Sequence, residues 1–191
     1  GDYLDHIATS SSLLLTTVND ILDLATVDAG IMDLEVDEVD VAVLFASVEQ
    51  SFAGRFAEAG VELKTAVASG ITNFKADGQR LRQVIGNLIS NAVNHAPEGS
   101  AVNLSAKLDG SDVVISIQDE GPGIPSDVLA SVFDRFVAHG NGRRRGGAGL
   151  GLSIVKGLVE LHKGSVSIQS NAESGTRVDC RFPADPAKFR Q

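Results

Sequence analysis

The sequence predicts an α+β chain, a two-layer α/β sandwich with one sheet covered by helices on one face, preceded by a long helix. Three observations carry this. Leu4, Ile7, Ser11, Leu14, Val18, Ile21 and Ala25 recur at alternating steps of three and four, the seam of a helix packed in a bundle or coiled coil. Downstream, short alternating strands are interleaved with helices that carry one apolar face, a mixture typical of a sheet with helices on one side. The 191 residues are 43% hydrophobic and 21% charged, enough to bury a core.

The opening Gly1-Asp2-Tyr3-Leu4 already lies inside the helical pattern, so the chain reads as part of something longer. Ser11 is the one polar member of the seam, and Ala29-Gly30 ends the helix. Such a stripe needs a partner. A partner helix from another chain or from sequence upstream is preferred over docking on the chain's own sheet. Two units follow, a helical one over 1–30 and a globular one over 31–191.

In the second unit, Leu34-Glu35-Val36 alternates like a short strand. Asp40 can cap a helix carrying Val43, Leu44, Ser47, Val48, Phe52 and Phe56, closed by Gly60. Residues 61–67 and 73–76 read as strands. Asp77 opens a helix with Leu81, Val84, Ile85, Leu88, Ile89 and Ala92 on one face, stopped near Pro97. Strands follow at 101–108 and 113–118, joined by Asp109-Gly110-Ser111. A short helical piece after Pro125, a helix at 150–161 and strands at 165–169 and 176–182 complete the chain.

Twenty-five acidic residues against 16 Lys and Arg give a net charge of −9, which repels phosphate backbones and argues against nucleic acid as a partner. No apolar run reaches the roughly 18–20 residues that span a bilayer. The single cysteine, Cys180, leaves no intramolecular disulfide framework or multi-cysteine zinc site. The expectation is a soluble, cytoplasmic domain, attached to a membrane only through segments upstream if at all.

Four segments carry chemistry. Asn87, Asn91 and Asn94 lie at i, i+4 and i+7 on one helical face, followed by His95. Asparagine is a mediocre helix former, and a neutral carboxamide oxygen can ligate Mg²⁺ without adding charge beside a triphosphate. A polar solvent-facing stripe is the alternative, although Leu88, Ile89 and Ala92 leave little of the helix to face water. Asp119-Glu120-Gly121-Pro122-Gly123-Ile124 follows an apolar strand. A buried carboxylate there can accept from an exocyclic amine while the glycines let backbone pass a flat ring, but alone this is a common turn. Gly147-Ala148-Gly149-Leu150-Gly151-Leu152 opens a helix, and glycine amides at a helix N-terminus favour anions. Phe133-Asp134-Arg135-Phe136, followed by a glycine-rich run with Arg143, Arg144 and Arg145, suits either a basic lid over phosphates or a plain solvated loop.

In this order and spacing the four segments resemble the asparagine, first glycine, phenylalanine and second glycine boxes of the Bergerat-type ATP-binding fold. With Val18-Asn19-Asp20-Ile21-Leu22-Asp23-Leu24 to Ala29-Gly30 resembling the end of a dimerisation helix, residues 3–183 look like the catalytic region of a bacterial sensor histidine kinase of the GHKL family. That resemblance implies ATP and Mg²⁺ as cofactors, with Asn91 as the metal ligand and Asn87 beside the phosphates. It implies Asp119 on the adenine amine, with Gly121, Gly123 and Ile124 shaping the base pocket. Gly147, Gly149, Leu150, Gly151 and Leu152 wrap the phosphates, Thr176 supports Asp119 through water, Phe133 and Phe136 seat the lid, and His95 stacks near the nucleotide. It also implies dimerisation through the helix over 3–28 and a response-regulator receiver domain as partner.

Where hydrolytic relatives such as gyrase carry a water-activating Glu, this chain has Asn87, which is no general base and favours phosphoryl transfer over hydrolysis. The family's usual cations are replaced by Asn94 and Ala138. The phosphoacceptor box is a His followed by an acidic residue and a Pro, and none of His6, His95, His139 or His162 has that context; Tyr3 sits too far along the helix to serve. The stretch from Tyr3 to Gly30 and the missing cations resemble DivL-like atypical members, where binding outweighs catalysis. The expected function is transfer from Mg²⁺-ATP to an acceptor upstream. The alternative is a catalytically weak scaffold that binds a response regulator or another kinase; an anti-sigma-factor-type serine kinase fits less well because of the heptad helix.

Overall fold

The computed structural model describes residues 2–135 and 149–184, the side chains of residues 1–10, 12 and 13 excepted. The chain begins with α1 (Asp2–Asp28), followed by β1 (Asp37–Asp40), α2 (Val41–Ala59), β2 (Glu62–Val67), β3 (Asn73–Ala76) and α3 (Gly78–His95). Then come β4 (Ala101–Asp109), β5 (Asp112–Gln118), the single turn α4 (Ser126–Leu129), α5 (Gly151–Leu161), β6 (Ser165–Asn171) and β7 (Gly175–Pro183).

The main sheet has the order β2-β4-β5-β7-β6. Only β2 and β4 run parallel among its neighbours. Alternation sorts its two faces. Val113, Ile115 and Ile117 of β5 point into the core, with Leu104, Val178, Cys180 and Phe182 from its neighbours. On that face lie α2, α3 and α5, which bring Leu44, Phe45, Ile85, Ile89, Val155 and Leu158 into the same cluster. The opposite face is polar, where Arg177 bonds Asp179 and Ser116, and Arg181 pairs with Asp109 and Asp112. The result is the two-layer sandwich that the sequence predicts. Burial, with Asp179 alongside, pushes the Cys180 thiol up to about 12, so it packs as a small apolar side chain.

Two caps set the helices that matter. Asp40 accepts from the Val43 N–H, and Asp77 accepts from the N–H groups of Gln79 and Arg80 through one oxygen. Asp77 is buried, its other oxygen accepts the Glu35 N–H, and its own N–H donates to Nε2 of the fully buried His162.

Two local expectations change. Leu34-Glu35-Val36 is not a strand. The strand is β1, three residues further on, and it exists because it pairs antiparallel with β3, with Val39 opposite Phe74. On α2, Val43 is 66% exposed while Val41 and Phe45 are buried, so the core face is rotated from the expected one. An unbroken apolar run from Val41 to Phe45 leaves helical phase undetermined.

The end of α1 docks on this unit. Leu24 is buried, Val27 packs beside Gly157 of α5, and Asp23 bonds Arg80 and Gln83 at 3.0 and 2.7 Å. Asp28 pairs with Arg135. Leu14, Val18 and Ile21 of the seam remain exposed. No helix among the described residues is long and apolar enough to cross a membrane.

Candidate nucleotide site

The site is assembled from three segments on the helical side of the sheet. The first is the polar face of α3. Its apolar face, from Leu81 to Val93, is buried, which leaves Asn87, Asn91 and Asn94 half-buried along one stripe and His95 exposed at the end. The Asn87 carboxamide donates to the Gly151 carbonyl at 3.5 Å. Asn91 makes no hydrogen bond to any described residue, and a side chain at Gly151 would lie 3.9 Å from its Nδ2. The start of α5 therefore sits directly against the asparagine row. Gly149, Leu150, Gly151 and Leu152 form this junction, with Leu150 buried and Ser153 donating back to its carbonyl.

The second segment is the loop after β5. Asp119 follows directly on that strand and is buried. Its Oδ1 accepts from the N–H groups of Gly121 and Thr176, at 2.8 and 3.2 Å. Its Oδ2 bonds no described residue, and no buried side-chain oxygen lacks a partner among those residues, so Oδ2 reaches solvent. Burial raises the Asp119 pKa, against the opposing pull of its two backbone donors and of nearby His95.

The loop is clamped by β6 and β7. Gly123 has φ +73°, and a Cβ there would meet the Asn171 carbonyl oxygen at 2.3 Å. Ile124 donates to Ser170 Oγ at 2.8 Å, and Ser170 Oγ in turn pairs with Thr176 Oγ1 at 2.8 Å. Gly175, at φ +72°, packs so close that a Cβ would meet the Asp119 carbonyl oxygen at 2.1 Å. Thr176 thus supports Asp119 directly through its main chain, while its hydroxyl holds Ser170. Gly121 packs against the carbonyl of His95, which closes the loop onto the end of α3.

The third segment is partly described. Phe133 is half-buried beside buried Val132. Phe136, Arg143, Arg144, Arg145 and Gly147 lie outside the described residues, as do Ala138 and His139.

Sequence reasoning missed Arg55 of α2. Its guanidinium donates to Asn94 Oδ1 at 2.9 Å and to Ser90 Oγ at 2.7 Å. Nothing local to residue 55 signals this, because its partners lie 35 and 39 residues away.

Residues 76–186 match the family model described as histidine kinase-, DNA gyrase B-, and HSP90-like ATPase. The chain belongs to this family. Within it, the chain is similar along most of its length to regions of sensor histidine kinases. It is 36% identical over 182 residues to the sensor protein DivL of Caulobacter vibrioides, covering 94% of this chain and 23% of that one. It is 34% identical to full-length ShkA, solved in complex with AMPPNP, with a TM-score of 0.84 over 95% of this chain and 38% of that one. Histidine kinase ThkA, solved in complex with the response regulator protein TrrA, shares the fold with a TM-score of 0.76 at 24% identity, over 98% of this chain and 52% of ThkA. The chain spans about a quarter of DivL.

Proposed function

We propose that the chain binds Mg²⁺-ATP between α3, the 119–124 loop and the start of α5. It passes the γ-phosphoryl group to an acceptor side chain outside these residues, and from there to a response-regulator receiver domain. The observation that carries this is Asp119, fixed through Oδ1 by two main-chain donors with Oδ2 open to solvent. One carboxylate oxygen presented by a rigid frame is an acceptor for the adenine amine, and Gly121, Gly123 and Ile124 supply the backbone that flanks a flat ring.

The donor set suits Mg²⁺, a hard cation that prefers oxygen ligands and keeps most of its waters. Asn91 offers a carboxamide oxygen that no described residue occupies. When bound, the metal neutralises phosphate oxygens as charge develops in the transfer. The protein's share is positioning. Asn87, tied to Gly151, adjoins the phosphates but accepts no proton from water, so hydrolysis is not promoted. The amides at 149–152 and the start of α5 attract the anion. By the resemblance, Phe133, Phe136, Arg143, Arg144, Arg145 and Gly147 serve the phosphates, and His95 serves the base. A second copy joins through the helix over 3–28, and the use of ATP implies a cytoplasmic setting.

One observation favours a second reading, a kinase-like scaffold that binds a response regulator or another kinase: Asn94 brings no charge to the row. Calorimetric titration with ATP and ADP, with and without Mg²⁺, decides between them. Tight Mg²⁺-dependent binding that Asn91→Asp weakens supports the kinase; absent or millimolar binding in a folded sample supports the scaffold. Unchanged affinity in both Asn91→Asp and Asp119→Asn overturns the site assignment.

A further inference from the structure

The carboxylate that faces the base and the backbone that flanks it come from different stretches of the loop, Asp119 and Gly123-Ile124. One hydroxyl joins them. Ser170, half-buried near the end of β6, lies opposite Thr176 of β7. The turn between these strands is pinned by Asn171, whose Oδ1 accepts from the N–H groups of Glu173 and Ser174 at 2.9 and 2.8 Å. Ser170 therefore stands on a fixed hairpin. Its Oγ has three partners: the Ile124 N–H at 2.8 Å, Thr176 Oγ1 at 2.8 Å and the Gly175 carbonyl at 3.2 Å. A hydroxyl has one proton and two lone pairs. The carbonyl takes the proton, so the lone pairs receive the Ile124 N–H and the Thr176 hydroxyl, and the capacity of Oγ is filled. Bonds then run from the loop to the carboxylate: Ile124 to Ser170, Ser170 to Gly175-Thr176, and the Thr176 N–H to Asp119 Oδ1. Among the described residues, no other hydrogen bond ties Gly123 or Ile124 to β6 or β7.

We propose that Ser170 is a positioning residue for base selection. It holds the 123–124 backbone at a set distance from the Asp119 carboxylate, so that the site selects adenine, which presents an amine there, over guanine, which presents a carbonyl. This rests on the placement of the base at Asp119 proposed above. Ser170 acts through its neighbours and needs no contact with the nucleotide.

The test is calorimetric titration of ATP, GTP and inorganic triphosphate, each with Mg²⁺, into the wild-type chain, Ser170→Ala, Ser170→Thr and Asp119→Asn, with thermal midpoints recorded for each. In Ser170→Ala, which orphans the Ile124 N–H, ATP affinity falls about tenfold while GTP and triphosphate affinities stay as in wild type. The preference for ATP over GTP shrinks by the same factor, and Ser170→Thr, which keeps the hydroxyl, retains it. A preference within twofold of wild type in Ser170→Ala overturns the proposal. So does a parallel loss of all three ligands, which marks a packing role only, or a Ser170→Thr variant as impaired as Ser170→Ala. If Asp119→Asn collapses the preference while Ser170→Ala keeps it, Ser170 alone is wrong; if Asp119→Asn also keeps it, the placement of the base falls as well.

Discussion

Asp119 and Thr176 hold each other by two hydrogen bonds: the Asp119 N–H donates to the Thr176 carbonyl at 2.9 Å, and the Thr176 N–H donates to Asp119 Oδ1 at 3.2 Å. The fold consumes one carboxylate oxygen and leaves the other for a ligand. Asparagine preserves the consumed oxygen but replaces the second with an amide N–H₂, which faces an amine badly. Asp119→Asn is therefore expected to fold with a thermal midpoint at or above wild type and to bind ATP at least about tenfold more weakly. Thermal unfolding and calorimetry on one sample check both halves. A folded variant with undiminished affinity contradicts the role.

The pH dependence follows from burial. The Asp119 carboxyl titrates above its ordinary 3.8 in the folded chain. As pH rises, the unfolded chain ionises this group first, so its contribution to stability falls between 3.8 and the raised value and stays lower above it. The stability advantage of Asp119→Asn should thus be absent in strong acid and appear as pH climbs through that window. ATP affinity runs the other way, lost as pH falls through the raised value. Denaturant midpoints and titrations across pH 3.5 to 7 read both slopes, a range set about the ordinary aspartate value.

His162 sits fully buried at the end of α5, with Nδ1 donating to the Leu158 carbonyl at 2.8 Å and Nε2 accepting the Asp77 N–H. Burial lowers its pKa from 6.5, outweighing the opposing effects of that carbonyl and of Asp77. The unfolded chain takes up a proton first as pH falls below 6.5, so stability declines from there down to the lowered value. His162→Ala removes that dependence. It also opens a cavity and orphans a buried N–H, at a cost of about 2–4 kcal/mol. Denaturant unfolding at pH 7 and pH 5 gives both quantities; a variant with the same pH slope as wild type refutes the assignment.

The caps and the apolar faces were legible because they are local. Asp40 and Asp77 each precede a run of helical period, and each caps through its own side chain within three residues. β1 was not, since Asp37-Glu38-Val39-Asp40 has poor strand propensity and is a strand only through its pairing with β3. The parallel register of β2 on β4 is likewise a non-local choice. In the site, asparagine spacing and the Asp119 turn could be read directly. The support for Asp119 from the Thr176 main chain and the reach of Arg55 could not, because hydrogen bonds between segments 57 and 39 residues apart leave no periodic trace.

The seam of α1 offers a test of self-association. Leu14, Val18 and Ile21 are 67%, 45% and 47% exposed, so lysine there removes little packing within the chain. If the chain pairs through this face as proposed, wild type sediments as a dimer at concentrations where the double variant Leu14→Lys with Ile21→Lys sediments as a monomer, with its melting of the sandwich unchanged. Equal sedimentation of the two proteins at every concentration argues against pairing through this face.

Asp77 joins three parts of the chain at one buried point: the segment leaving α1 through Glu35, the first turn of α3, and the last turn of α5 through His162. Those two helices are the ones that bear the asparagine row and the Gly151 junction. One buried carboxylate thus serves all three, and its loss would leave the segment after α1, the start of α3 and the end of α5 without their common partner.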